Sequence, residues 1–355
     1  MHSKTILVAP LHWGLGHATR CIPIIRELLN QNFNVLLASD GAALQLLRSE
    51  FPKLPYIALP PYNITYPKNG KLFKWEMLFK LPQIQRSITL ENKIIEDLVA
   101  DGKIDGIISD NRYGVRNKKV PSVFITHQLN VLSGKTTFFS SLIQQYQIKK
   151  FDACWVPDVE GTPNLSGRLG HLKNTLAETI YMGPLSRMKK QNRTIKYDIL
   201  VLLSGPEPQR SLLESKLIKE LKYKNQKILL IQGVIANQQE WKQLDSITIV
   251  NFMESSQLET SINESKLVIS RSGYTTIMDL TAMEKKAFLI PTPGQYEQEY
   301  LANRLKELGI APSCRQSQFT IEKLAEIEKY KGFTAFDPNF DYQNLFRFFE
   351  SKGKL

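Results

Sequence analysis

Apolar residues come in two alternating rhythms along this chain. Short unbroken runs rich in Ile, Leu and Val, at residues 5–9, 34–38, 104–109, 122–126 and 153–156, are bounded by turn formers and predict buried strands. Between them apolar positions recur at helical spacing. Cys21, Ile25, Leu28 and Leu29 mark a helix through residues 18–30, and residues 41–48 predict another. Strands that alternate with helices read as a parallel sheet covered on both faces. After Gly183-Pro184, residues 186–196 are polar and basic and read as a linker. The alternation then restarts, with strands at 198–203, 227–231, 247–251, 267–270 and 287–290 and helices at 209–221, 274–283 and 295–308. The prediction is an α/β chain of two Rossmann-like, doubly wound parallel-sheet domains. These would be residues 1–184, a linker at 185–196, and residues 197–355, whose last helix can pack back on the first domain. Ligands of such sheets bind beyond the carboxyl ends of the strands, here in a cleft between the domains.

Composition adds a partner to this picture. The 355 residues suffice for two cores, and 42% hydrophobic and 23% charged residues fit a globular protein. A net charge of +12 is unusual and favours an anionic partner: phosphorylated substrates, an acidic membrane surface or nucleic acid. Cys21, Cys154 and Cys314 are widely spaced and odd in number, which fits a reducing cytoplasm rather than a disulfide framework. No stretch approaches the ~20 apolar residues of a membrane span. The apolar run at residues 5–9 is too short for a signal core, so membrane contact is expected to be peripheral.

Two places in the first half could carry chemistry. Gly14-Leu15-Gly16-His17 joins the first strand to the first helix, where glycines admit a ligand and the helix start favours negative charge. Thr19 stands where a dinucleotide fingerprint needs glycine. Asp110 closes a predicted strand and could orient His17 as a general base for an acceptor hydroxyl. The plainer readings are a Gly-rich turn with an incidental histidine and a loop-fixing carboxylate. His127 also ends a strand and competes as the base, whereas His12 and His171 read as surface residues.

The longest pattern lies in the second half. Residues 267–279 predict a strand, the turn Arg271-Ser272-Gly273, and a helix with Thr275, Thr276 and Asp279 in its first two turns. Backbone N–H groups and the hydroxyls of Ser272, Thr275 and Thr276 suit a diphosphate, and Asp279 can accept both hydroxyls of a ribose. A strand-end loop follows from Pro291 to Gln298. One more strand–turn–helix unit with a well-capped helix is the alternative.

From Phe252 to Leu308 the chain resembles the donor domain of glycosyltransferase family 28, in its lipid I transferase-like branch. In that family an Arg-Ser-Gly turn precedes a helix whose acidic residue, eight positions after the Arg, holds the donor ribose. Arg271 and Asp279 reproduce that spacing, with Asp for the usual Glu. The resemblance further implies that Gln298 reaches the donor sugar and that the backbone at Phe252-Met253 clamps a uracil. It also implies a glycine-rich turn at Ser204-Gly205 and a phosphate contact from Arg187. Gly14 and Gly16-His17 resemble the family's acceptor-side Gly-Gly-His loop, but Arg20 stands where a proline is usual, and Pro23 lies further on. There is no DxD motif, so neither a metal nor a cofactor is expected.

The implied activity is transfer of an N-acetylhexosamine or hexose from a UDP-sugar to a lipid-linked or glycolipid acceptor, with inversion. His17 and Asp110 would be catalytic, with the diphosphate stabilised by the turn at Ser272 and by Arg271 or Arg187. Between residues 68 and 86, Lys68, Lys71, Lys74, Lys80 and Arg86 interleave with Leu72, Phe73, Trp75, Met77, Leu78, Phe79 and Leu81. Such a stretch suits an anionic bilayer surface, the family's lipid-acceptor enzymes carrying a similar one, or it is a core helix with solvated lysines. The expected location is therefore the inner face of the membrane, with no nucleic-acid partner. Two other readings remain: a UDP-GlcNAc 2-epimerase, and a non-catalytic basic protein that binds membrane or nucleic acid.

Overall fold

The computed structural model describes residues 3–63, 73–172, 176, 178–222, 225–234, 236, 238–334 and 341–350, the side chains of 73–79 and 135 excepted. These residues form two units, one drawn from 1–65, 72–187 and 337–355 and the other from 188–336.

The first unit runs β1 (Thr5–Pro10), α1 (Gly16–Asn30), β2 (Asn34–Ser39), α2 (Gly41–Glu50), β3 (Tyr56–Ala58), α3 (Phe73–Ala100), β4 (Gly106–Asp110), β5 (Ser122–Ile125), α4 (Thr137–Ile148), β6 (Ala153–Val156) and β7 (Thr179–Tyr181). Its seven strands lie in the order β3-β2-β1-β4-β5-β6-β7, every pair parallel. Strand order reverses between β1 and β4, where Pro10 pairs with Asp110. That reversal opens a crevice at the carboxyl ends of the two strands. β1 and β4 are buried on both faces, as their unbroken apolar runs require. α1 buries Cys21, Ile22, Ile24, Ile25 and Leu28 but leaves Leu29 36% exposed, so its apolar stripe is turned from the one expected.

The second unit runs β8 (Tyr197–Leu202), α5 (Gln209–Leu221), β9 (Ile228–Ile231), β10 (Trp241–Leu244), β11 (Ile247–Val250), α6 (Ser255–Asn263), β12 (Ser265–Ser270), α7 (Tyr274–Ala282), β13 (Ala287–Leu289) and α8 (Tyr296–Glu307). Its strand order is β10-β11-β9-β8-β12-β13, parallel except for the edge hairpin β10–β11. Here the reversal falls between β8 and β12. Val201, Leu213, Leu217, Leu230, Ile269, Phe288 and Phe319 form the centre of this unit's core.

The last helix, α9 (Tyr342–Glu350), belongs to the first unit. Leu345, Phe346, Phe348 and Phe349 are buried, and the rings of Phe346 and Phe349 lie 6.2 and 5.9 Å from that of Trp155. Lys4 Nζ donates to the Phe349 carbonyl at 2.6 Å. Gly106 is small because a Cβ there would stand 2.5 Å from the Phe349 ring. Among the described residues no helix is long and apolar enough to cross a membrane.

Candidate functional site

The crevice of the first unit is built on one buried carboxylate. Asp110 ends β4 with no exposed surface. His17, one residue into α1, places Nδ1 2.8 Å from Asp110 Oδ1. Arg20 lies one turn further along α1 and is also buried. Its Nε donates to Asp110 Oδ2 at 2.5 Å, and its Nη2 donates to Oδ1. Asn111 Nδ2 adds a contact at 3.1 Å. Burial alone would raise the Asp110 carboxyl, but the charges of Arg20 and His17 and their hydrogen bonds hold it well below the carboxylate range.

His17 Nδ1 is also 2.9 Å from Arg20 Nη2. A lone pair on Nδ1 would face the Asp110 oxygen and repel it, whereas an N–H there donates to Asp110 and Arg20 keeps its own carboxylate contacts. The second arrangement leaves the lone pair on Nε2. Burial lowers the His17 pKa; Asp110 opposes that shift and Arg20 reinforces it, so the net is below 6.5 and the ring is neutral at pH 7. A neutral imidazole aimed by a carboxylate can take a proton from a hydroxyl. His127, at the end of β5, is differently placed: its Nδ1 accepts from Arg20 Nη1 at 2.9 Å, an arrangement that puts its proton on Nε2. Arg20 thus ties both candidate histidines to one carboxylate. Gly14 is exposed with φ +77° and open space where a Cβ would stand, and α1 starts at Gly16 with no side-chain cap.

A second polar network lies at the same edge of the sheet. The buried Arg112 Nε donates to Glu91 Oε1 at 2.7 Å, its Nη1 to Asp40 Oδ1 at 2.6 Å, and its Nη2 to the Pro60 carbonyl at 2.7 Å. Tyr62 Oη donates to Glu91 Oε2 at 2.8 Å. Asp40 also meets His12 Nδ1 at 3.2 Å. His12 is therefore a held residue, and His171 likewise: it lies 3.4 Å from buried Asp158 and stacks on Tyr181 at 4.8 Å. Both corrections have one cause. The partners come from strand ends 13 to 28 residues away, and no local pattern announces them.

In the second unit the turn after β12 ties neighbouring loops together. Arg271 is buried: its Nη1 donates to the carbonyls of Ile290 and Pro291, each at 3.2 Å, and its Nη2 to that of Gln209 at 2.8 Å. No carboxylate pairs with it among the described residues, and burial lowers its pKa to about 10. Ser272 Oγ donates to the Gln298 carbonyl at 2.8 Å. Gly273 is the N-cap of α7, which has no side-chain cap, and a Cβ on Gly273 would meet nothing within 4 Å. Beside this helix start, Ser270 Oγ, Thr292 Oγ1 and Arg271 Nε are buried without a hydrogen-bond partner. Gly205, after β8, has φ +102° and sits with its Cβ position 3.8 Å from Thr292 Oγ1. Ser204 is exposed beside it. Thr275, Thr276 and Asp279 are partly exposed on α7. The unit therefore gathers an uncapped helix start, a buried cation and three orphaned polar atoms at its strand reversal, which suits an anion.

The other donor-side residues have internal partners. Gln298 Oε1 accepts from the Thr292 N–H at 2.8 Å, and its Nε2 donates to Gln295 at 2.7 Å. The Phe252 N–H donates to Asn251 Oδ1 at 2.9 Å and its carbonyl accepts from Gln239 at 2.8 Å. Met253 Sδ accepts from Ser261 Oγ. Arg187 belongs to the first unit, where its Nη1 is 3.7 Å from Glu50. Of residues 68–86, Lys68, Lys71 and Leu72 and the side chains of 73–79 lie outside the described residues. Lys80 donates to the Asn63 carbonyl, Leu81 is 53% exposed and Arg86 is exposed.

Residues 209–329 match the glycosyltransferase family 28 C-terminal domain. Over 63 residues the chain is 43% identical to the UDP-N-acetylglucosamine–N-acetylmuramyl-(pentapeptide) pyrophosphoryl-undecaprenol N-acetylglucosamine transferase of Methylobacterium radiotolerans, a stretch spanning 17% of each chain. Over 325 residues it is 23% identical to the protein of that name from Pasteurella multocida, covering 88% of this chain and 84% of that one. Among solved structures it is similar to the calicheamicin glycosyltransferase CalG4, with TM-score 0.64, 12% identity and coverage of 99% and 96%. It is also similar to MurG of Acinetobacter baumannii, with TM-score 0.54, 15% identity and coverage of 99% and 95%. The chain is a GT-B-fold protein resembling glycosyltransferase family 28, whose C-terminal domain it carries in its second unit.

Proposed function

We propose that the chain is a metal-independent, inverting glycosyltransferase that moves an N-acetylhexosamine or hexose from a UDP-sugar to a lipid-linked acceptor. The observation that carries this reading is the pairing of neutral His17 with buried Asp110 in one unit and the uncapped start of α7 in the other. His17 Nε2 takes the proton of the acceptor hydroxyl as that oxygen attacks the anomeric carbon. The bond from the anomeric carbon to phosphate oxygen breaks, and UDP leaves with the electron pair. The N-terminus of α7 and the buried charge of Arg271 favour the diphosphate as it gains charge. Asp279 accepts from the ribose hydroxyls. The transferase named in the relatives uses this donor class and a pyrophosphoryl-undecaprenol acceptor, which supports the choice of substrates.

The test is UDP release from UDP-N-acetylglucosamine with polyprenyl-linked glycan acceptors present. His17→Ala should cut turnover by ~10²–10⁴ and leave UDP affinity within about twofold, as loss of a general base does. Full activity in that variant together with loss in His127→Ala would move the base to β5. Interconversion of the UDP-sugar without any acceptor would make the chain an epimerase.

A further inference from the structure

Asp40 stands at the N-cap of α2, where an aspartate ordinarily accepts from the N–H groups of its own helix. It makes no such bond. Its Oδ1 accepts instead from buried Arg112 Nη1 at 2.6 Å, and its Oδ2 lies 3.2 Å from His12 Nδ1. Arg112 is held in turn by Glu91, whose two oxygens only accept: from Arg112 Nε, from Tyr62 Oη and from the Gly114 N–H. Gly41 completes the support, since its φ is +51° and a Cβ there would strike the His12 ring. The imidazole is thus fixed at Nδ1 and against the start of α2, yet its side chain is 33% exposed. With the N–H of Nδ1 on Asp40, Nε2 is the ring's remaining polar atom, and no described residue bonds to it.

Two carboxylates against one guanidinium give the support a net negative charge, which repels phosphate and carboxylate ligands. A hydroxyl suits the place, because it can donate to an imidazole nitrogen or accept from one. Trp13, the next residue, is half-buried and packs on Leu11, Tyr62 and Ile84. An aromatic ring beside a fixed polar atom suits a pyranose, with its apolar face on the ring and its hydroxyls on the polar group. The position fits as well. β1 lies between β2 and β4, so the strand ends carrying Asp40 and Asp110 are about 10 Å apart at ~4.8 Å per strand. His12 and His17 flank the loop after β1, each aimed by its own carboxylate, at a spacing that suits one pyranose ring with a hydrogen bond on either side.

We propose that His12 is an acceptor-binding residue, its Nε2 hydrogen-bonding a ring hydroxyl of the acceptor's sugar while His17 takes the proton of the hydroxyl that attacks. This rests on the transferase reading above and adds to it that the acceptor is held at this point through a neutral sugar.

The experiment sets two substitutions side by side in the transfer assay. Asparagine reproduces the Nδ1 position and keeps the bond to Asp40; glutamine reproduces the Nε2 position and gives that bond up. His12→Asn should keep its thermal midpoint, its UDP affinity and its kcat within about twofold, and raise the acceptor KM about tenfold, as loss of one hydrogen bond from uniform binding does. His12→Gln should hold the acceptor KM within about threefold of the intact chain. An unchanged KM in His12→Asn would overturn the proposal and make the histidine structural. A second measurement needs no turnover. The chain has five histidines, and their ring nitrogens can be followed by NMR in protein labelled with nitrogen-15 histidine. The probes are octyl β-glycosides of N-acetylglucosamine, N-acetylgalactosamine, glucose and galactose, and geranyl phosphate as a lipid phosphate without sugar. At least one glycoside should move the Nε2 signal that His12→Asn lacks, and geranyl phosphate should leave it in place. No movement with any glycoside, or movement with geranyl phosphate alone, would overturn the proposal. A glycoside response in a chain that transfers sugar to no acceptor would keep the sugar site and sink the transferase reading.

Discussion

Arg20 decides how His17 and Asp110 behave. It stands at i+3 from His17 and 90 positions from Asp110, and it carries a positive charge into a site where Asp110 is fully buried and His17 only 15% exposed at its side chain. Its effect on His17 has a definite sign. Burial and Arg20 both lower that pKa while Asp110 raises it, so the acid limb of kcat/KM should lie below pH 6.5. Replacing Arg20 by Met removes the repulsive charge, and the limb should move to higher pH. The same variant leaves the Asp110 charge buried with fewer partners, and urea unfolding should report a loss of about 3–5 kcal/mol. A limb that stays put would mean that Arg20 acts on the fold alone. Asp110 has its own signature. Its folded pKa lies below the ordinary 3.8, so the unfolded chain takes the proton first as pH falls. The stability it contributes is complete above that ordinary value and is lost as pH falls through the folded one. In the sequence His17 and Asp110 were legible as a helix start and a strand end. The bridge from Arg20 to both and to His127 was not, because it forms only once β1, β4 and β5 are side by side.

Elements were legible where their pattern was long and their neighbours supplied the expected environment. The central parallel strands of both sheets, α1, α5, α7 and α8 follow from apolar rhythm, whereas the antiparallel edge strand β10, exposed at three of its four residues, does not. β3 and β7 have three residues each, too few to show a period. α4 buries Ser141 and Gln144 beside Ile148 and exposes Phe138, Phe139, Leu142, Ile143 and Tyr146, which no rule of burial anticipates. The start of α7 offers a test in which fold and function part. Gly273 has φ −70° and open space at its Cβ position, so Gly273→Asp adds a side chain without strain. An aspartate at an N-cap should hold or raise the thermal midpoint, by a few tenths of a kcal/mol relative to glycine. Its charge would occupy the ground proposed for the diphosphate, and UDP affinity should fall at least about tenfold. Retained affinity would place the diphosphate elsewhere. For α9 the expectation is structural: Phe349→Ala empties a buried aromatic site against Trp155 and should cost about 3–5 kcal/mol in urea unfolding of the first unit, with UDP affinity unchanged.

At the scale of the whole molecule, two sheets with the same reversal of strand order present different chemistry at it. Between β1 and β4 stand a neutral histidine and a buried carboxylate; between β8 and β12 stand an uncapped helix and a buried guanidinium. The proposed transfer assigns the leaving nucleotide to the second unit and the base to the first. The direct measurement is calorimetric titration of UDP-N-acetylglucosamine into the intact chain, His17→Ala and Asp279→Ala. The account predicts saturable binding to the first two with Kd values within about twofold, and a loss of about 10–100-fold for Asp279→Ala, the range of a lost charge-assisted hydrogen bond. Equal binding by a folded Asp279→Ala variant, or no binding of any UDP-sugar by the intact chain, would contradict it.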